Sequence, residues 1–208
     1  MSIPRDQLVE DRTGFVKFAR VFSNVVSPPV MFAALGIAFA LYERPFWPGI
    51  GWAALYAFIV SLAPIIGVLY MLKKGIISEL HMSNTRERHL PYIMAVAFAA
   101  LAYGLITWFQ GPALLRCLAL FNIIELSALG IINMFWLISM HSTGIMATFV
   151  LTGLVFSWEA GLAIAFPFVI AVSWVRLYLK RHTPAQIVAG LALGTVTVLS
   201  LTFIGCFS

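Results

Sequence analysis

The chain has 208 residues, 62% of them hydrophobic and only 10% charged, with a mean hydropathy of +0.97 and a formal charge of +5. An ordinary soluble domain is roughly a quarter charged, so this composition argues against a water-soluble globule. A single soluble core of this size has no use for so much apolar surface, whereas lipid has. An all-α polytopic transmembrane helix bundle is expected, with no nucleic-acid partner.

Residues 1–20 carry Arg5, Asp6, Glu10, Asp11, Arg12, Lys17 and Arg20, too many charges for a secretory signal. Leu8, Phe15, Val16, Phe18 and Ala19 suit an amphipathic helix at the water–lipid interface; a solvated leader is the equal alternative. A single transmembrane domain is expected over 21–208. A spanning helix needs about 20 apolar residues to cross about 30 Å of hydrocarbon. The uncharged runs, divided by turn signals such as Gly111-Pro112 and Glu159-Ala160-Gly161, predict seven spans, at about 24–42, 51–72, 92–110, 113–137, 141–158, 161–179 and 186–206. Cys117 and Cys206 lie inside or beside spans, and no disulfide is expected. Four scattered histidines without a Cys-x-x-Cys make no zinc site, and there is no internal repeat.

Following the chain through seven spans brings three polar clusters to one membrane face. They are Arg86, Arg88 and His89; Ser139 and His141; and Arg176, Lys180, Arg181 and His182. The opposite face has Glu43, Arg44, Gln110 and Glu159, and no histidine. Two histidines and several arginines at one depth describe an anion site with titratable groups. Thr183-Pro184-Ala185-Gln186 reads as a capping box with proline at the first helical position. Ser139 reads as the N-cap of the fifth span, with His141 in its first turn. Helix starts offer unpaired N–H groups to anions, so a phosphate between these two starts meets both histidines.

These clusters resemble, in order, the three signature motifs of the phosphatidic acid phosphatase type 2 superfamily, which also contains the vanadium haloperoxidases. The family pattern is Lys-x6-Arg-Pro, then Pro-Ser-Gly-His, then Ser-Arg-x5-His-x3-Asp. Arg176, His182 and Gln186 reproduce the third spacing, with Gln in place of Asp. Ser139-Met140-His141 matches Ser-Gly-His, with Ile138 in place of proline. The first motif is weakest: Arg88 is followed by proline only at Pro91, and the lysine position falls on His81. The resemblance covers about residues 73–206 and looks like a divergent branch. It implies the family's membrane fold and a phosphatase acting on a lipid phosphate or isoprenoid (di)phosphate, without metal or cofactor. It casts His182 as the nucleophile that becomes phosphohistidine and His141 as acid and then base. Arg88 and Arg176 become phosphate contacts, Ser139 a further donor, and Gln186 the partner of His182. An imidazole, with an ordinary pKa near 6.5, suits both roles. Gln186 can accept from an imidazole N–H but lacks the charge that stabilises an imidazolium.

Each residue also has a plain reading. Arg176, Lys180, Arg181, Lys73 and Lys74 end spans, where basic residues anchor helices, and Gln186 also suits a helix cap. Tyr92, Trp108, Trp136, Trp158 and Trp174 read as interfacial aromatic belts, and Gly190-x3-Gly194 as close helix packing. Glu125, one turn after Asn122, sits mid-span, where an acid is costly and a functional hypothesis by default; a hydrogen-bonded structural role is its plainer reading. Two alternatives therefore stand beside the phosphatase. One is a transferase handing the phosphoryl group to an acceptor other than water. The other is a degenerate, non-enzymatic membrane protein or a transporter with Glu125 on its path. Basic residues in short loops favour the cytoplasm. With Arg88 and Arg176 set aside, nine lie on the motif face and two, Arg44 and Arg116, on the other. A cell-membrane protein with N-terminus and motif face in the cytoplasm is expected.

Overall fold

The computed structural model describes residues 14–78 and 85–207, with only the backbone of Thr85 and Arg86. Residues 1–13 of the predicted leader and the His81 position lie outside it. The described residues are helical and contain no strand. Helix α1 covers Phe15–Val25 and α2 Pro28–Glu43. Next come α3, Phe46–Lys73, and α4, His89–Trp108. Helix α5 covers Ala113–Phe135 and α6 Met140–Val155. Last are α7, Trp158–Tyr178, and α8, Pro184–Thr202.

Five of these, α3, α4, α5, α7 and α8, are long and apolar enough to cross a membrane. Helices α1 and α2 form a sixth candidate, bent by 46°. The bend falls before Pro28-Pro29, because a proline disfavours helical geometry at the residue preceding it. Helix α6 is apolar but has 16 residues. In α3 and α7 a wider π turn, Ala57–Leu62 and Gly161–Ala165, lies just before Pro64 and Pro167. A proline inside a helix lacks an N–H and crowds the preceding turn, and the wider turn accommodates it. Side chains such as Phe58, Ile66, Tyr70 and Ile93 are more than half exposed, as suits helices that face lipid.

The chain forms two compact units. The first combines residues 1–31 with 138–198. There α1 buries Val16, Ala19 and Ser23, one stripe at helical spacing, and Val16 and Ala19 pack on Val175 and Leu179 of α7. Phe15 meets Trp174 and Tyr178 edge-on. Residues 15–20 of the expected leader thus belong to a helix with one buried stripe. Gly190 and Gly194 let α8 lie against α6: a Cβ at Gly190 would stand 2.7 Å from the Ser139 carbonyl, and one at Gly194 would strike that of Thr143. This is the close packing expected of that pair.

The second unit combines residues 32–137 with 199–208. The Glu43 carboxylate accepts from the N–H groups of Ala113 and Leu114, at 2.7 and 2.8 Å, which caps the start of α5 from outside the helix. Two expectations are corrected here. Cys117 and Cys206, 89 residues apart, form a disulfide: the first turns of α5 and the turn after α8 bring their Cα atoms to 5.6 Å, within bonding range. Tyr92 is not an interfacial belt residue but is buried on α4, because Asn133 donates to its hydroxyl at 3.2 Å. Trp108, Trp136, Trp158 and Trp174 are exposed, as belt residues are.

Candidate active site

The first unit holds five of the six residues singled out above. The capping box forms as expected: Thr183 N–H donates to Gln186 Oε1 at 2.9 Å and Gln186 N–H to Thr183 Oγ1 at 3.4 Å. The box starts α8 and leaves His182 immediately before it, 8% exposed. It also directs the Gln186 amide oxygen onto the Thr183 N–H, where the family resemblance would aim it at the histidine. Ser139 caps α6, accepting from the Ser142 N–H at 3.3 Å and its hydroxyl at 2.9 Å. The Ser139 N–H donates to the Gln186 carbonyl at 3.3 Å, so the two helix starts are joined through their backbones.

Arg176, in the last turn of α7, is buried. Its Nη2 lies 3.2 Å from His182 Nε2. A guanidinium has donors only, so Nε2 receives this contact with its lone pair and the His182 proton belongs on Nδ1. The six-residue separation achieves this because α7 ends at Tyr178 and Lys180 turns the chain back with a φ of 53°. The Arg181 N–H then donates to the Arg176 carbonyl at 3.1 Å.

Ser23, on the buried stripe of α1, was not singled out from sequence. Its hydroxyl accepts from Arg176 Nη1 at 3.1 Å, and its backbone carbonyl lies 3.1 Å from His141 Nε2. A carbonyl only accepts, so His141 carries a proton on Nε2. The only sequence signal for Ser23 is its spacing from Val16 and Ala19, which places a polar residue on the apolar stripe of α1. Arg88 belongs to the second unit, where it precedes α4 and lies near the Tyr92 hydroxyl. The first unit thus joins Arg176 to His182 directly, and to His141 through the two oxygens of Ser23. It arranges a basic donor, an imidazole lone pair and a second titratable imidazole, a set that can bind an anion and move a proton. No group of His, Cys, Asp and Glu side chains able to hold a metal occurs among the described residues.

No family model matches this chain, and neither a curated protein nor a solved structure does.

Proposed function

We propose that the chain is a membrane-embedded lipid phosphate or diphosphate phosphatase of the phosphatidic acid phosphatase type 2 kind, working through a phosphohistidine without metal. The contact between Arg176 and the Nε2 lone pair of His182 carries the reading. It sets an anion-binding donor against the imidazole that the resemblance casts as nucleophile. In this reaction the Nε2 pair attacks phosphorus while the bond to the lipid oxygen breaks. Phosphate oxygens replace Nε2 as the acceptors of Arg176, which steadies the charge they gain. The departing oxygen takes a proton from His141 Nδ1. The neutral His141 left behind still holds the Ser23 carbonyl through Nε2–H and next takes a proton from the water that cleaves the phosphohistidine. One observation favours the degenerate alternative: the engagement of the Gln186 oxygen by Thr183 leaves the family's acidic partner without a counterpart at that position.

Seven spans fit this reading: the five long helices, the bent α1–α2 pair and the short α6 follow the seven predicted segments in order. For sidedness, two features agree. The basic residues favour a cytoplasmic motif face, and a disulfide persists in an oxidising compartment. Cys117 lies in the second turn of α5, whose other end, Phe135, comes four residues before Ser139. The test is phosphate release by purified protein from a panel of lipid phosphates and isoprenoid diphosphates in the presence of EDTA. Release that disappears in His182→Ala supports the proposal, and release that needs added Mg²⁺ contradicts it.

A further inference from the structure

In the second unit, Asn122, Glu125 and Asn133 lie on the buried side of α5, at 0%, 1% and 2% exposure. Separations of three and eight residues bring them near one stripe. Each asparagine spends its amide protons in the same way. Asn122 Nδ2 donates to the Tyr56 hydroxyl of α3 and to the Leu118 carbonyl at 3.0 Å. Asn133 Nδ2 donates to the Tyr92 hydroxyl of α4 at 3.2 Å and to the Leu129 carbonyl at 2.8 Å. What remains is oxygen. Asn122 Oδ1, Glu125 Oε1 and Asn133 Oδ1 are buried with no hydrogen-bond partner among the described residues. Buried polar atoms are nearly always satisfied, so two orphaned acceptors one turn apart, Asn122 Oδ1 and Glu125 Oε1, mark a place built for something that is not a side chain.

We infer that the oxygens around Glu125 form an intramembrane site for a monovalent cation. The chemistry selects the ligand. With the asparagine donors spent, an anion finds repulsion and a cation finds acceptors. One acid balances one positive charge, and no group of three or more His, Cys, Asp or Glu side chains occurs among the described residues, which disfavours a divalent ion. Asn122 and Glu125, one turn apart, are neighbours on the helix surface, and Tyr56 reaches the pair through Asn122. Asn133 stands about 12 Å further along α5 at 1.5 Å per residue, beyond reach of the same ion, so the site centres on Asn122, Glu125 and Tyr56. Among the described residues, Tyr92 and Arg88 also act electrostatically in this region. Two occupants share the required chemistry, a proton and a sodium ion. The site is independent of the phosphatase reading.

The experiment is thermal unfolding of the purified full-length protein in detergent, at pH 5 and pH 8, with sodium chloride or choline chloride at equal ionic strength. An ion that binds only the folded state raises the midpoint. A sodium site raises the wild-type midpoint by several degrees in sodium over choline at pH 8. A proton site makes the wild-type midpoint fall from pH 5 to pH 8 by several degrees more than that of Glu125→Gln, with no sodium effect. Glu125→Gln, an uncharged isostere, loses either response. A wild type that matches Glu125→Gln in both salts and at both pH values overturns the inference. If Glu125→Gln does not fold, carbodiimide modification of wild-type Glu125, read by peptide mass, replaces it. Labelling that falls with sodium or with rising pH supports the site, whereas no labelling, or labelling indifferent to both, overturns it.

Discussion

The backbone carbonyl of Ser23 holds His141 Nε2 at 3.1 Å across 118 residues of sequence. The same residue's hydroxyl holds Arg176 at 3.1 Å, so a single position on α1 steadies two groups of the candidate site. The two contacts differ in how substitution reaches them. Ser23→Ala removes the hydroxyl and leaves the carbonyl. It is expected to cost about 1–3 kcal/mol, because a buried guanidinium N–H loses its acceptor. The check is the unfolding midpoint in detergent, where an unchanged value would show that the hydroxyl contributes nothing.

Arg176→Lys keeps the charge but gives up the planar fork that reaches Ser23 and His182 together. A loss in kcat/KM of about 10²–10³-fold is expected, the size seen when one donor to a developing oxyanion is removed. Steady-state kinetics on a lipid phosphate decide it, and a lysine variant with full activity would contradict the role given to Arg176.

Gln186 links the Thr183 cap to the candidate site. Gln186→Ala is expected to destabilise the protein by about 0.5–2 kcal/mol through loss of the cap. Gln186→Glu keeps the reach of the capping box and adds a negative charge at the start of α8, worth about 0.3–1 kcal/mol in favour. Unfolding midpoints that rank glutamate at or above glutamine, and both above alanine, are the expected outcome. Equal midpoints for all three would remove the cap from the account.

Sidedness is open to a single-thiol experiment. The sequence has two cysteines, and both are in the disulfide. Lys74→Cys, at the exposed end of α3, therefore supplies the one free thiol without disturbing Cys117–Cys206. In intact cells a membrane-impermeant maleimide is expected to label it only after permeabilisation. Labelling of intact cells would place this end of α3 outside and overturn the cytoplasmic assignment of the motif face.

Much of the fold was legible because lipid imposes a length and a polarity on every helix. The five long apolar helices, the Thr183–Gln186 box, the Ser139 cap and the close approach at Gly190 and Gly194 all rest on local spacing. What sequence did not disclose depends on distant parts of the chain. Cys117 and Cys206 meet only once α5 and the end of α8 are packed. Tyr92 has the position of a belt residue, but Asn133 draws it inward. Ser23 is one small polar residue on the buried stripe of α1, and its partners lie 118 and 153 residues away. Of the site itself, the Arg176–His182 spacing was legible as a motif. The carbonyl that fixes the proton on His141 was not, because a backbone acceptor has no signature in sequence.

The central claim is that His182 carries the phosphoryl group. Rapid quench of the purified protein and a ³²P-labelled lipid phosphate into alkaline detergent, followed by mapping of the labelled peptide at high pH, tests it most directly. The account predicts acid-labile, base-stable label on His182, formed without metal, absent in His182→Ala and slower to appear and to clear in His141→Ala. Turnover that persists in His182→Ala, or label on any other residue, would contradict it.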